Sequence, residues 1–62
     1  MYTFEAIYIN MDTNKARSHA VYVDTNVTDN MTEKDAFCMA MTLAYDEKHD
    51  NELLSSLEFI SA

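Results

Sequence analysis

The sequence of 62 residues contains no glycine, no proline and no tryptophan, and it has a single cysteine. Phosphate-cradling loops and tight two-residue hairpin turns depend on glycine's access to positive φ. The absence of glycine therefore excludes the dinucleotide fingerprint, the phosphate-binding loop and the glycine-dependent calcium loop. Asparagine must form the turns instead, because it tolerates the left-handed region and bonds its own backbone. Five asparagines stand between the apolar runs: Asn10, Asn14, Asn26, Asn30 and Asn51.

The cysteine content and the chain length limit how the protein is stabilised and where it works. Cys38 has no disulfide partner in the chain, five methionines are present, and no basic-then-apolar leader opens the sequence. These features predict a reducing, cytoplasmic setting and no membrane span. A chain this short buries about 60% of its unfolded surface, so we expect one small domain over residues 1–62. Without disulfide or metal staples, such a domain often depends on a partner or on a second copy.

Basic residues are scarce, and the resulting charge is concentrated in one part of the chain. The net charge of −7 arises from eleven acidic residues against four Lys or Arg. Residues 1–23 contain two charges of each sign, whereas residues 24–62 carry nine carboxylates against two lysines. A surface with this charge repels nucleic acid and membrane phosphates, and it attracts basic protein surfaces.

Two segments near the start have the period of two that is typical of strands. Residues 2–9 place aromatic residues and Ala6 on one side and Thr3, Glu5, Ile7 and Ile9 on the other. Residues 19–25 form the second predicted strand, and the polar residues 11–17 are few enough for a hairpin. We therefore predict an antiparallel pair.

A helix is predicted to follow, starting after Thr32 and ending at about Tyr45 or Asp46. Threonine is a good N-cap, and acids in the first turn suit the positive end of the helix dipole. Alanines recur every four residues at positions 36, 40 and 44, which lets one side of the helix approach a sheet closely.

The last segment, residues 53–60, fits either a helical stripe or a strand. We favour a strand, because a hairpin alone is seldom stable and a third strand gives the helix a sheet to cover. The predicted fold is α+β, with strand–strand–helix–strand order, a right-handed crossover and an antiparallel sheet in the order 2-1-3.

One helix covers one face of such a sheet and leaves the other uncovered. We assign Phe4, Ala6, Tyr8, Val21, Val23, Leu57 and Phe59 to the covered face, because the opposite side carries Glu5 and Glu58. The opposite side also carries four large apolar residues, Ile7, Ile9, Tyr22 and Ile60. Together they would form an apolar patch of the size that often marks an interaction site. Scattered surface apolar residues are the alternative interpretation.

The candidates for catalysis and for metal binding are weak. His19, His49 and Cys38 have no local spacing that is typical of a nucleophile and its base. The acid-containing stretches 24–35 and 46–52 match no metal site, since the first has Asp29 where a calcium loop turns on glycine and the second contains Lys48. We therefore expect no enzyme activity, no metal and no cofactor.

The leading hypothesis is a binding module that meets a basic protein surface, with no direct contact to nucleic acid or membrane. Its carboxylates would steer association: Glu33, Asp35, Asp46, Glu47, Asp50 and Glu52. Ile7, Ile9 and Tyr22 would then hold the complex, because exposed ion pairs contribute only about 0–1 kcal/mol each. In the alternative interpretation the acid run is a solvated helix exit that keeps a small protein soluble.

Size, acidity and element order together resemble the small proteins that bacteriophages and mobile elements encode to occupy a host enzyme. The resemblance implies an inhibitor or adaptor that acts by steric occupancy of a nucleic-acid-handling protein. A competing hypothesis is a homodimer in which the uncovered sheet face meets its own copy across a two-fold axis.

Overall fold

The structure is a computed structural model that describes residues 1–24 and 32–61. The elements in chain order are β1 (Tyr2–Asn10), β2 (Ala16–Val23), α1 (Glu33–Glu47) and β3 (Glu52–Ser61). The three strands form one sheet in the order β2-β1-β3, and both pairings are antiparallel. The predicted fold class, sheet order and central position of the first strand are confirmed. Asn26 and Asn30, which were predicted to form turns, lie outside the described residues.

The hairpin between β1 and β2 is shorter than the sequence predicted. β2 begins at Ala16, three residues before the predicted start, because asparagines close the turn within residues 11–15. The Asn10 side-chain oxygen accepts the backbone N–H groups of Asp12 and Thr13, at 2.9 and 3.1 Å. Asn14 adopts a φ of 60°, the left-handed conformation that glycine usually supplies. Arg17 is therefore a strand residue and not a loop residue.

The helix begins with a complete capping box. The Thr32 hydroxyl accepts the Asp35 backbone N–H at 3.2 Å, and the Asp35 carboxylate accepts the Thr32 backbone N–H at the same distance. These two bonds satisfy backbone donors that the first helical turn leaves unpaired. Ala36, Ala40 and Ala44 are all completely buried, as the four-residue repeat predicted. The helix continues to Glu47, one residue beyond the later of the two predicted ends.

The core lies between the alanine ridge of α1 and one face of the sheet. Its sheet residues are Phe4, Ala6, Tyr8, Val21 and Val23, and Leu54, Leu57 and Tyr2 pack partly buried against them. Phe4 makes edge-to-face ring contacts with Phe37 of the helix and Phe59 of β3, at centroid distances of 6.0 and 5.6 Å. The assignment of this face from the sequence is confirmed.

β3 explains why the last segment resembled both a helix and a strand. Tyr8 pairs with Leu54 and Ile7 pairs with Ser56, so Ser55 is an extra residue in a β-bulge. Because the bulge shifts the alternation by one residue, Leu54 and Leu57 both face the core although they are three residues apart. A spacing of three is typical of a helix face, and here it arises from an irregular strand.

The alanine ridge gives a direct test of the close approach between helix and sheet. We expect Ala40→Leu to lower the free energy of unfolding by about 1–3 kcal/mol, because extra methylenes must displace a packed core. Cys38→Leu adds similar bulk on the exposed side of α1 and should change stability by less than about 0.5 kcal/mol. Urea unfolding followed by circular dichroism measures both, and equal effects of the two variants would contradict close packing of the alanine ridge against the sheet.

Candidate interaction surface

None of residues 1–24 and 32–61 covers the face of the sheet opposite α1. The strand register sets its side chains in four rows across β2, β1 and β3: Tyr22–Thr3–Ser61, Ala20–Glu5–Glu58, Ser18–Ile7–Ser56 and Ala16–Ile9–Leu53. This set of side chains is called the open face below. One end of the open face is apolar, the middle is acidic, and the other end carries an exposed tyrosine.

The structure places three of the four predicted apolar residues on the open face, but they do not form one patch. Ile7 and Ile9 are half-buried at one end, and Tyr22 is 59% exposed at the other. The Tyr22 row and the Ile9 row are six residue steps apart along β1, a distance of about 20 Å. Ile60 is the extra residue in a second irregularity, between the Thr3–Ser61 and Phe4–Phe59 pairs, and is 54% exposed. The expectation of one continuous patch is wrong, because Glu5 and Glu58 interrupt it.

Sequence reasoning missed Leu53 as a member of the open face. Leu53 pairs with Ile9 and is 56% exposed, so it extends the apolar end made by Ile7 and Ile9. Strict alternation backward from Leu57 would have turned Leu53 toward the helix, and the bulge at Ser55 reverses that orientation. No signal in the sequence marks the position of the bulge.

Glu5 and Glu58 lie directly opposite each other on neighbouring strands. Like charges in this arrangement are destabilising. None of the ion pairs formed by residues 1–24 and 32–61 neutralises either carboxylate. The open face therefore holds two adjacent negative charges next to its apolar end.

The acidic residues predicted to steer association fall into two groups at opposite ends of α1. Glu33 and Asp35 lie in its first turn, and Asp35 is part of the capping box. Asp46 and Glu47 close the helix, with Asp50 in the exposed turn that follows. The 15-residue helix separates the two groups by about 21 Å.

Glu52 does not belong to this exposed acidic set, and its prediction as one of the carboxylates that steer a partner is wrong. Its side chain is 5% exposed and forms a bidentate pair with Arg17. The Arg17 Nε and Nη2 atoms donate to the two carboxylate oxygens at 2.7 and 2.8 Å. The bulge at Ser55 places Glu52 on the helix side of the sheet, where Arg17 of β2 also lies.

Arg17 connects all the elements that meet at the end of the helix. Its guanidinium lies over the Tyr8 ring, 4.4 Å from the centroid, and its Nη2 also donates to the Glu47 carbonyl oxygen at 3.2 Å. The last turn of α1 has no basic residue of its own, so Arg17 supplies the positive charge that the helix C-terminus favours. The Tyr8 hydroxyl donates to the Ala44 carbonyl at 2.5 Å.

The turn from α1 to β3 is held by the same group of residues. The Glu52 carboxylate accepts the His49 backbone N–H at 2.8 Å, and the Lys48 ammonium donates to the carbonyls of His49 and Glu52 at 3.0 Å each. Hydrogen bonds from Arg17 and His49 lower the pKa of Glu52 from 4.5 to about 2, against an opposing effect of burial. The hydrogen bond to Glu52 raises the pKa of Arg17, and burial raises the pKa of Tyr8.

The histidines and the cysteine are not assembled into a reactive group. His19 is half-buried with its Nε2 atom 3.9 Å from a Glu47 carboxylate oxygen, and the exposed His49 has its Nδ1 atom 3.5 Å from Glu52. Cys38 is exposed on α1. Within the described parts of the chain, no three His, Cys, Asp or Glu side chains are grouped so that they could hold a metal ion.

The comparisons with known proteins assign no relative. No protein-family model, curated protein or solved structure matches the chain. Over residues 1–24 and 32–61, no helix has the length and apolar character needed to cross a bilayer.

The lowered pKa of Glu52 makes part of the stability dependent on pH. Because the folded carboxyl resists protonation, the stabilisation is complete above about pH 4.5 and is lost as the pH falls toward 2. We expect Glu52→Gln to be less stable than the wild type at pH 7. The difference in unfolding free energy between the two should narrow as the pH falls through this window. Urea unfolding of both proteins at a series of pH values measures this difference in free energy.

Arg17→Lys provides the matched variant from the other side of the ion pair. Lysine keeps the charge but loses the two-pronged geometry, so this variant should also be less stable at pH 7. A difference between wild type and Glu52→Gln that stays constant down to pH 2 would show that the pair does not control the titration of Glu52.

Proposed function

We propose that the protein is a small acidic binding module without catalytic function, which docks its open face on a basic surface of another protein. The observation that carries the proposal is the composition of that face. It joins a half-exposed apolar end to two adjacent carboxylates that residues 1–24 and 32–61 leave unneutralised. The setting we favour is the cytoplasm, and the partner class is a protein that handles nucleic acid.

The apolar end supplies the anchor. Ile7, Ile9 and Leu53 are adjacent across β1 and β3, and Ala16 extends them toward β2. A few well-packed residues near the centre of an interface contribute most of its binding free energy. These side chains give the partner an apolar contact that the helix of this chain does not use.

Glu5 and Glu58 specify the charge of the partner. A lysine or arginine of the partner, placed between the two carboxylates, would remove the repulsion that the free protein retains. Arginine fits best, because its planar guanidinium can bond both carboxylates at once. The partner's cation would then lie beside the apolar end of the open face, because Glu5 and Glu58 are next to the row that contains Ile7.

The remaining acids act over a longer range. Glu33, Asp35, Asp46, Glu47 and Asp50 are exposed around the helix ends and add to the negative field of the whole chain. Fields of this kind accelerate the encounter with a basic partner more than they add to the affinity. Salt should therefore reduce the association rate more than it increases the dissociation rate.

The same geometry weighs against the alternative of a homodimer formed through the open face. A two-fold axis through the middle of this face would bring Glu5 and Glu58 of both copies together, four carboxylates that no cation of residues 1–24 and 32–61 neutralises. Juxtaposed like charges oppose such an interface. Sedimentation at high micromolar concentration tests this directly, and a monomer is the expected result.

The open face can be tested by capture and by kinetics. Bait proteins would be wild type, Ile7→Thr/Ile9→Thr and Glu5→Gln/Glu58→Gln, used in nuclease-treated lysate. Threonine keeps the strand preference while removing apolar contact. We expect both double variants to lose the partner, with affinity reduced by about tenfold or more. Tyr45→Gln removes an exposed aromatic residue from α1 and should keep the partner.

Kinetics with the isolated partner then separate steering from anchoring. Raising ionic strength from about 0.01 to 0.15 M shortens the screening length from about 30 to 8 Å. The association rate should fall by about tenfold or more, as expected for steered encounters. A rate that does not depend on salt, or capture that is equal for all four baits, would contradict the proposal.

A further inference from the structure

A groove lies between the outer edge of β2 and the adjacent side of α1. Its volume is about 250 Å³, and it is lined by His19, Val21, Tyr22, Leu43, Asp46 and Glu47. A neighbouring hollow of about 230 Å³ is lined by Met39, Thr42 and Leu43. Leu43 lines both, so the two hollows are neighbours on the surface of the helix. This groove is separate from the apolar end of the open face.

β2 is a regular edge strand. Within residues 1–24 and 32–61 it pairs with β1 alone, and its register with β1 is unbroken from Tyr2–Val23 to Ile9–Ala16. The other edge strand, β3, has two register shifts. Bulges protect an edge against pairing with another strand, and a regular edge offers a row of backbone donors and acceptors. β2 is therefore the edge that is suited to accept a further strand.

The chemistry changes along the groove. Val21 and Leu43 make one part apolar, and Met39 and Leu43, each about 40% exposed, continue it along the helix. Asp46 and Glu47 make the other part acidic. These two acids lie at the negative end of the helix dipole, where carboxylates are disfavoured. Their position therefore does not serve the stability of the helix.

We propose that this groove binds an extended peptide segment that pairs with β2 as a fourth strand, with an apolar residue followed two positions later by lysine or arginine. Peptides commonly bind at sheet edges in this way, since backbone bonds give affinity and pockets for alternate side chains give specificity. The negative charge at Asp46 and Glu47 selects a basic residue over an acidic one.

The strand directions fix the order of the two peptide residues. Arg17 contacts the end of α1, so the acids lie beside the first half of β2 and Leu43 lies farther along, beside Val21. An antiparallel peptide runs from the Val23 end of β2 to the Ala16 end, and antiparallel pairing is the more stable kind. Its apolar residue then meets Val21 first, and its basic residue meets His19 and the acids two positions later.

The test is a nuclear magnetic resonance titration of the whole ¹⁵N-labelled chain with a synthetic peptide. The probe is acetyl-TVTVTKT-amide, which has valine and lysine in the proposed order. We expect shifts of the β2 amides and of residues 43–47, with binding weakened by added salt. Asp46→Asn/Glu47→Gln should weaken binding by about three- to tenfold, because exposed ion pairs contribute modestly.

Glu5→Gln/Glu58→Gln is the matched control, since it also removes two charges but from the open face. It should bind the peptide with nearly wild-type affinity. Conversely, Asp46→Asn/Glu47→Gln leaves the apolar anchors of the open face intact. An effect of Asp46→Asn/Glu47→Gln on peptide binding therefore tests the groove. An effect of Glu5→Gln/Glu58→Gln on capture of the partner tests the proposed function, so the two can fail independently.

Control peptides test backbone pairing and direction. Two further peptides each carry one proline, at successive positions of the probe. Only alternate amides of a strand pair with its neighbour, so one of these two prolines removes a paired amide, and that peptide should bind much more weakly. The reversed order acetyl-TKTVTVT-amide and the acidic acetyl-TVTVTET-amide should also bind more weakly. Equal binding of all these peptides, shifts confined to the open face, or no binding would overturn the proposal. A dimer in sedimentation with β2 amides protected would show that a second copy takes this edge.

Discussion

The ion pair between Arg17 and Glu52 is the constraint on which the arrangement of this protein depends. It joins β2 to the first residue of β3 across the central strand, with the guanidinium resting on the Tyr8 ring. A buried ion pair adds little net stability, because desolvation offsets much of the Coulomb attraction. Removing Arg17, however, leaves the buried Glu52 carboxylate without its compensating charge. The pair joins β2, the end of α1 and β3 in the register that brings Glu52 to Arg17.

That constraint also determines which surfaces are available for binding. Glu52 faces the helix side of the sheet because Ser55 is the extra residue of the bulge. For the same reason Leu53 faces away from the helix, beside Ile9. The charges of Arg17 and Glu52 cancel each other, and ten carboxylates against three lysines are left to produce the net −7. The interior pair thus leaves the outward negative charge unchanged while it shapes the apolar end of the open face.

Much of the fold could be predicted from the sequence, because its signals are local. Thr32 with Asp35 marked the helix start, the alanine repeat marked its buried ridge, and the strand alternation gave the covered face. The start of β2 and the burial of Glu52 could not be predicted in this way. The start of β2 follows from how Asn10 and Asn14 close the turn, which strand alternation does not reveal. The burial of Glu52 depends on pairing with the distant Arg17, and a single bulge reverses the facing of every strand residue before it. Charge along the sequence identifies acids, but it does not reveal that one of them pairs with Arg17 in the interior.

The open face and the groove beside β2 differ in the kind of partner they suit. The open face is broad, presents side chains and places two carboxylates beside a half-buried apolar cluster, so it suits a folded basic surface. The groove is narrow and presents backbone groups along a regular strand, so it suits an extended segment. Both select against anionic partners, because each carries carboxylates that no cation within residues 1–24 and 32–61 fully neutralises. A folded basic protein with an extended basic tail would satisfy both surfaces at once, and the linked contacts would then strengthen each other through effective concentration.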